Sequence, residues 1–413
     1  MRKSVIWIAA VLALILLGTL MACSAKYSSQ YNGLVVVPSR FDLVMQSFSL
    51  NLSNGGLSQI NNVNGPTTAG LPAGLVIDPS GNFAYVLMQA NPGITSSTGI
   101  ESFAIASDGK LGSGTLIPLN GGVDPVALAI DSAGKYLFIA DNSTSGTAGA
   151  VSVLSISSGS LTEVPGSPFV LPAQPGGTTP SASALAVTPM TYPNEYAVCA
   201  QQAPLTTENL YVTDYANFVV LNYLVNLSTG ALTIVPTSIG NGVPTGSYPD
   251  GVAVDPCNRF VYVANAVSNS VSAYTICSSV SIALNCPSPN FSLQPVTGSP
   301  YSVGDTPGPI SVDAYGGFLY VVATGSSYIN AFRIGSATGA LAPLSPATYA
   351  LSTALGQISG ANSIAVRSDD SFLFVANNNT QTLSEFSIVP STGGLSPETP
   401  IQTFNYPSGV AVK

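Results

Sequence analysis

Histidine is absent from all 413 residues. That removes the commonest general base at neutral pH, the Ser-His-Asp arrangement and the usual zinc and copper ligands. Charge is scarce: Asp, Glu, Lys and Arg make up 7% of the chain. Long helices draw on Glu and Lys in quantity, so an ordinary helical protein is excluded. The 10 basic residues, against 19 acidic ones, form no patch, and no nucleic-acid partner is expected. Tryptophan occurs once, at Trp7.

What the chain has in quantity is Gly (40) and Pro (31), with Val, Ser and Thr. This composition fits an all-β protein with many turns. The first residues stand apart from it. Arg2 and Lys3 precede an apolar run from Val5 to Ala22, and the chain turns polar after Cys23. Residues 1–22 are expected to be a signal peptide outside the fold. The segment Leu20-Met21-Ala22-Cys23 resembles the lipobox of bacterial lipoproteins. The resemblance implies a lipidated Cys23, a tether over residues 23–31 and a membrane-anchored protein in the cell envelope. An uncleaved membrane anchor is the alternative, since about 18 apolar residues can just span a bilayer. Four cysteines remain: Cys199, Cys257, Cys277 and Cys286. In an exported chain they are expected to pair as Cys277–Cys286 and Cys199–Cys257, with free buried thiols as the alternative.

A repeat organises residues 32–413. "LPAGLVIDPSGNFAYVL" (71–87) recurs as "DPVALAIDSAGKYLFIAD" (124–141), "YPDGVAVDPCNRFVYVAN" (248–265), "TPGPISVDAYGGFLYVVA" (306–323) and "ANSIAVRSDDSFLFVAN" (361–377). A sixth copy is split, with "SALAVTP" from Ser183 and "NLYVTD" at 209–214. Each copy is followed by another alternating run, a glycine turn such as "STGALTIV" or "ATGALAPL", and a short strand. Four strands per unit at this period describe propeller blades. The tail "YPSGVAVK" (406–413) supplies a first strand with nothing after it. The head, residues 32–60, supplies a second, third and fourth with no first. Joining tail to head gives a seventh blade and closes the ring. The predicted fold is therefore a seven-bladed β-propeller with four antiparallel strands per blade.

"YVTD" (211–214) and "YVAN" (262–265) resemble the YVTN-type repeat. With "GSPF" (166–169), "GSPY" (298–301) and the S-x-G-x-L turns, the chain resembles the lactonase-family propellers related to 6-phosphogluconolactonase. That resemblance implies a sugar-lactone hydrolase whose channel carries His, Arg and a carboxylate. The absent histidine departs from that set.

In a propeller the first strands line a central channel. The D-P-S-G-N type turns place Lys135, Arg259, Arg367 and Lys413 on the bottom face, leaving Arg40 as the clear cation on the top. The ring of residues equivalent to Asp250 at the mouth reads Ala73, Val126, Ser183, Asp250, Gly308, Asn362 and Ser408, with one charge among seven. The upper ends of the second strands hold Asp141, Asp214, Asn265 and Asn377. Asp141, Asp214, Asp250 and Asn265 are candidates for an acidic patch holding a hard cation such as calcium. The same residue types also serve simply to start turns by bonding their own backbone. The expected function is an exported, monomeric lipoprotein whose top face binds a small molecule, glycan or protein, with Ser183, Asn362 and Ser408 among the contacts. The alternative is a lactonase in which Asp250 activates water and Arg40 is the electrophile.

Overall fold

A computed structural model describes residues 33–60, 65–90, 98–120, 124–142, 146–188, 208–237, 240–277, 286, 291–351, 358–403 and 405–413. The signal segment, Cys23, the tether and Cys199 lie outside the described residues. Seven antiparallel sheets form one ring. The first strands of blades 1 to 6 are Leu71–Ile77, Pro125–Ile130, Ala182–Val187, Pro249–Val254, Pro307–Val312 and Ala361–Val366. The closing blade runs, outside to inside, Leu57–Gln59, Val44–Leu50, Leu34–Ser39 and Ala411–Val412. Head and tail thus share a sheet, and Val36 pairs with Ala411.

The core lies between blades. Seven apolar clusters fill the seven blade–blade interfaces; one joins Phe138 and Val153 of blade 2 to Leu210 and Leu221 of blade 3. The Y-V dipeptide of the repeat explains part of this. Tyr85, Phe138, Tyr211, Tyr262, Tyr320 and Phe374 are fully buried on successive second strands. The Tyr262 hydroxyl donates to the Gly339 carbonyl of the next blade at 3.0 Å, and Tyr320 does the same to Gly393 at 2.9 Å. A Cβ on Gly339 would stand 2.5 Å from the Phe260 ring, so the S-x-G-x-L turn is where one blade seats on its neighbour.

The repeated aspartates close the turns between strands one and two, on the bottom face. Asp131 Oδ1 accepts the Lys135 and Tyr136 amides at 2.6 and 2.9 Å. Asp313 Oδ1 accepts those of Gly317 and Phe318 at 2.7 and 2.8 Å. Asp255 adds a buried ion pair with Arg259 at 2.7 Å. Cys277 and Cys286 form a disulfide, and Cys257 is disulfide-bonded too.

One detail goes beyond the four-strand expectation. In blades 2, 3, 4 and 6 a short fifth strand also pairs with strand three. In blade 2, Ser160–Glu163 and Phe169–Val170 both lie along Ala150–Ser157. The G-S-P-F segment sits at the break, because proline cannot donate to a ladder and interrupts the outer edge.

Candidate functional site

The first strands of blades 1 to 6 each carry a β-bulge. Pro249 pairs with Asn265 but Gly251 with Ala264, leaving Asp250 as the extra residue. The same one-residue excess falls at Ala73, Val126 and Asn362, and within residues 183–184 and 308–309. A bulge frees its residue from pairing and re-aims the side chain. Six of the seven positions of the ring seen in the sequence are thus bulges at the channel mouth. Periodicity identifies equivalent positions without showing that each is a bulge.

Two glycines seat Asp250. A Cβ on Gly251 would stand 2.0 Å from the Gly308 carbonyl oxygen, and one on Gly308 would stand 3.1 Å from Asp250 Oδ2. Blades 4 and 5 therefore meet closely, with the carboxylate against a bare backbone. Asp250 is exposed to the lumen. The enclosing walls nonetheless keep bulk water back and push its carboxyl up to about 6. It makes no hydrogen bond within the protein among the described residues.

The Ser408 hydroxyl is likewise without a hydrogen-bond partner among the described residues, but two other polar sister residues are engaged. Ser183 donates to the Pro249 carbonyl at 2.6 Å, and Asn362 Nδ2 donates to the Pro407 carbonyl at 2.9 Å. Each ties its blade to the first-strand proline of the next. The Gln89 amide bonds the Pro125 carbonyl in the same way, and Arg40 reaches the Pro72 carbonyl. A carboxylate has no proton to donate, so Asp250 leaves the Pro307 carbonyl without such a partner.

A cavity of about 450 Å³ opens here, lined by Asp250, Ser183, Asn362, Thr324 and the apolar strand walls. Ser408 lines an adjoining space of about 430 Å³ on the same channel. Asp250 is the charged residue lining the first cavity, and the second is lined by uncharged residues.

The other predicted residues do not gather with it. Arg40 sits on the rim of the closing blade, donating to Gln89 Oε1 at 2.8 Å. Burial lowers its pKa, offset in part by the Asp124 charge. Asp214 Oδ1 accepts the Ser181, Ala216 and Asn217 amides. Asn265 bonds Ser270, Ser272 and Gly246, and Asn377 bonds Thr382 and Ser384. Asp141 accepts Ser152 at 2.7 Å and is pushed up to about 6, chiefly by burial. All four are buried beside strand three and line neither cavity. The expected patch of Asp141, Asp214, Asp250 and Asn265 is therefore not assembled: Asp141 and Asn265 bond strand three, Asp214 braces its turn, and Asp250 faces the lumen. No group of three His, Cys, Asp or Glu side chains converges as a metal set among the described residues.

The sequence profile of the family described as "Lactonase, 7-bladed beta-propeller" matches residues 43–181 and 289–413. The chain belongs to this lactonase family. No curated protein matches it. Among solved structures, this lactonase-family propeller is similar to a candidate 6-phosphogluconolactonase of Bacteroides fragilis. That likeness has a TM-score of 0.69 and 16% identity over 94% of this chain and 99% of the other. It is also similar to the periplasmic gluconolactonase of Pseudomonas aeruginosa, with a TM-score of 0.67 and 18% identity over 92% and 98%. At such identities the likeness is one of fold. The family match leaves out residues 182–288, which in this lactonase-family chain hold Ser183, Asp250 and all four cysteines beyond Cys23.

Proposed function

We propose that this chain is an exported lipoprotein, anchored through Cys23, whose channel mouth binds a small uncharged molecule of the sugar or sugar-lactone class. The observation that carries this reading is a 450 Å³ cavity with one charged group, an unpartnered carboxylate, among polar and apolar walls. Its volume suits a single small ligand. A carboxylate free of partners accepts hydroxyl hydrogen bonds, and Ser183 and Asn362 add short polar contacts. A phosphorylated ligand fits poorly, because no cation lines the cavity. Export is supported by the basic start, the apolar run and Cys23.

Hydrolysis is a second reading, supported by the same carboxyl. A base near 6 with free lone pairs can take a proton from water attacking a lactone carbonyl. A group opposing the developing oxyanion is the missing part, since Arg40 lies on another blade, held by Gln89.

Two measurements separate the readings. Titration of the full chain with neutral sugars and a slowly hydrolysing 1,4-lactone should give saturable binding, weakened by Asp250→Asn. Absence of binding would overturn the first reading. Hydrolysis of gluconolactone and 6-phosphogluconolactone, with and without calcium, tests the second. A rate above background that Asp250→Asn removes would establish it, and no such rate would sink it.

A further inference from the structure

Two residues upstream of each bulge, the chain enters the channel wall. Those entry positions read Leu71, Asp124, Ser181, Tyr248, Thr306, Gly360 and Tyr406 around the ring. In the last four the backbone is left-handed: φ is 55° at Tyr248, 52° at Thr306, 64° at Gly360 and 57° at Tyr406. Glycine takes this conformation freely, whereas a bulky residue there costs strain. Two of the four positions nevertheless carry tyrosine.

Each tyrosine meets another aromatic ring on the top face. Tyr248 packs edge-on against Tyr215 with ring centroids 4.6 Å apart, and Phe218 lies 5.0 Å from it. Tyr406 meets Phe41 at 5.9 Å. These rings are not core. Tyr215 is 38% exposed, Tyr406 43% and Phe41 71%. Tyr215 also feels the Asp250 carboxylate, which adds to burial in pushing its phenol up. Blade 4 and the closing blade are three apart in a ring of seven, so the two clusters stand on opposite sides of the mouth.

We propose that these clusters are two stacking platforms for neutral sugar rings, so that the mouth holds a short oligosaccharide, one unit against Tyr215 and Tyr248 beside Asp250 and another against Tyr406 and Phe41. This rests on the sugar-binding reading of the channel mouth and extends it. One face of a pyranose is a sheet of C–H groups while its edge carries hydroxyls. An aromatic ring beside a carboxylate matches that division: the ring covers the apolar face and the carboxylate takes the edge. The absence of a lining cation disfavours phosphates and acids.

The test is calorimetric titration of the full chain with neutral oligosaccharides of glucose, N-acetylglucosamine and mannose, from one to six units, beside choline as a cationic control. Affinity should rise with chain length in one series. Tyr215→Ala should weaken binding by about tenfold, as expected for losing one stacked ring, while Tyr215→Phe retains it. Tyr248→Gly separates binding from folding: it relieves the left-handed backbone, so the melting temperature should hold or rise while affinity falls. Tyr406→Gly should abolish the gain of longer over shorter chains. If sugars bind in an Asp250-dependent way but ignore all three ring deletions, the platforms are overturned and the channel reading stands. If no sugar or lactone binds, both fall. Binding of choline in place of sugars would overturn the platforms in favour of a cation cage.

Discussion

On the bottom face, Asp255 grips Arg259 through two charge-assisted bonds of 2.7 and 2.8 Å, and Arg259 reaches on to the Ser336 carbonyl of the next blade. Five residues upstream on the top face, Asp250 grips nothing. The contrast runs round the ring. Lys135 bonds the Leu227 carbonyl, Lys413 the Pro79 carbonyl, and the repeated turn aspartates collect amides. The top face instead leaves a carboxylate unpaired and rings uncovered. One repeat thus yields a face whose turn charges join blade to blade, and a face whose one lumenal carboxylate is left for a partner. Natural sites commonly give up stability in this way.

The sharpest way to break this contrast is Arg259→Ala. It would leave Asp255 buried without its ion pair, and about 3–5 kcal/mol of stability should be lost in urea denaturation. Sugar binding by the remaining folded protein should be unchanged. An unaffected midpoint would mean that the bottom face is not the stabilising one. Cys277→Ser comes next. It opens a loop of nine residues' separation and should cost about 2–3 kcal/mol, again without affecting the mouth.

Buried carboxyls predict a pH dependence. Burial pushes Glu208 and Glu385 up to about 8, and both oxygens of Glu208 lack a hydrogen-bond partner among the described residues. Asp370 is also raised, by burial first and then by the neighbouring Asp313. Folded values above unfolded ones mean that the native state holds more protons. Their contribution is present below the ordinary carboxylate range and is lost as pH rises toward 8. The melting temperature should fall between about pH 5 and about pH 9, and Glu208→Gln should flatten the curve. A rising curve would refute the assignment.

The smallest expected effect has the opposite sign. Asp250→Asn supplies a donor for the Pro307 carbonyl, as Asn362 does for Pro407. It should stabilise the fold by about 0.5–1.5 kcal/mol while weakening ligand binding. A destabilised Asp250→Asn would show that the carboxylate already serves the fold.

The blades, their number and the head-to-tail closure were legible because a repeat averages over local exceptions. "YPSGVAVK" declared itself a first strand by likeness to "YPDGVAVD". Direction was less legible. Asp141, Asp214 and Asn265 share a position beside the mouth, yet Asp141 and Asn265 turn toward Ser152 and Ser272 of strand three and Asp214 turns to Ser181 and its own turn, and only those partners decide it. The two tyrosines were in plain view, in two Y-P-x-G segments, but a ring reads as core until its exposure is known. The bulge that aims Asp250 leaves no mark in the sequence, because the inserted position carries no common residue type from blade to blade.

The closing blade fixes the face at which the described head of the chain begins. Leu34 and Lys413 exchange backbone hydrogen bonds of 2.9 and 2.8 Å at the bottom edge. The described head of the chain, beginning at Gly33, therefore lies at the bottom. With Cys23 in a bilayer, as proposed, the ring would sit with its paired and bonded face toward the lipid. The mouth would look outward, sampling the surrounding fluid at the end of a short leash, where bulky soluble chains can approach it without meeting the membrane.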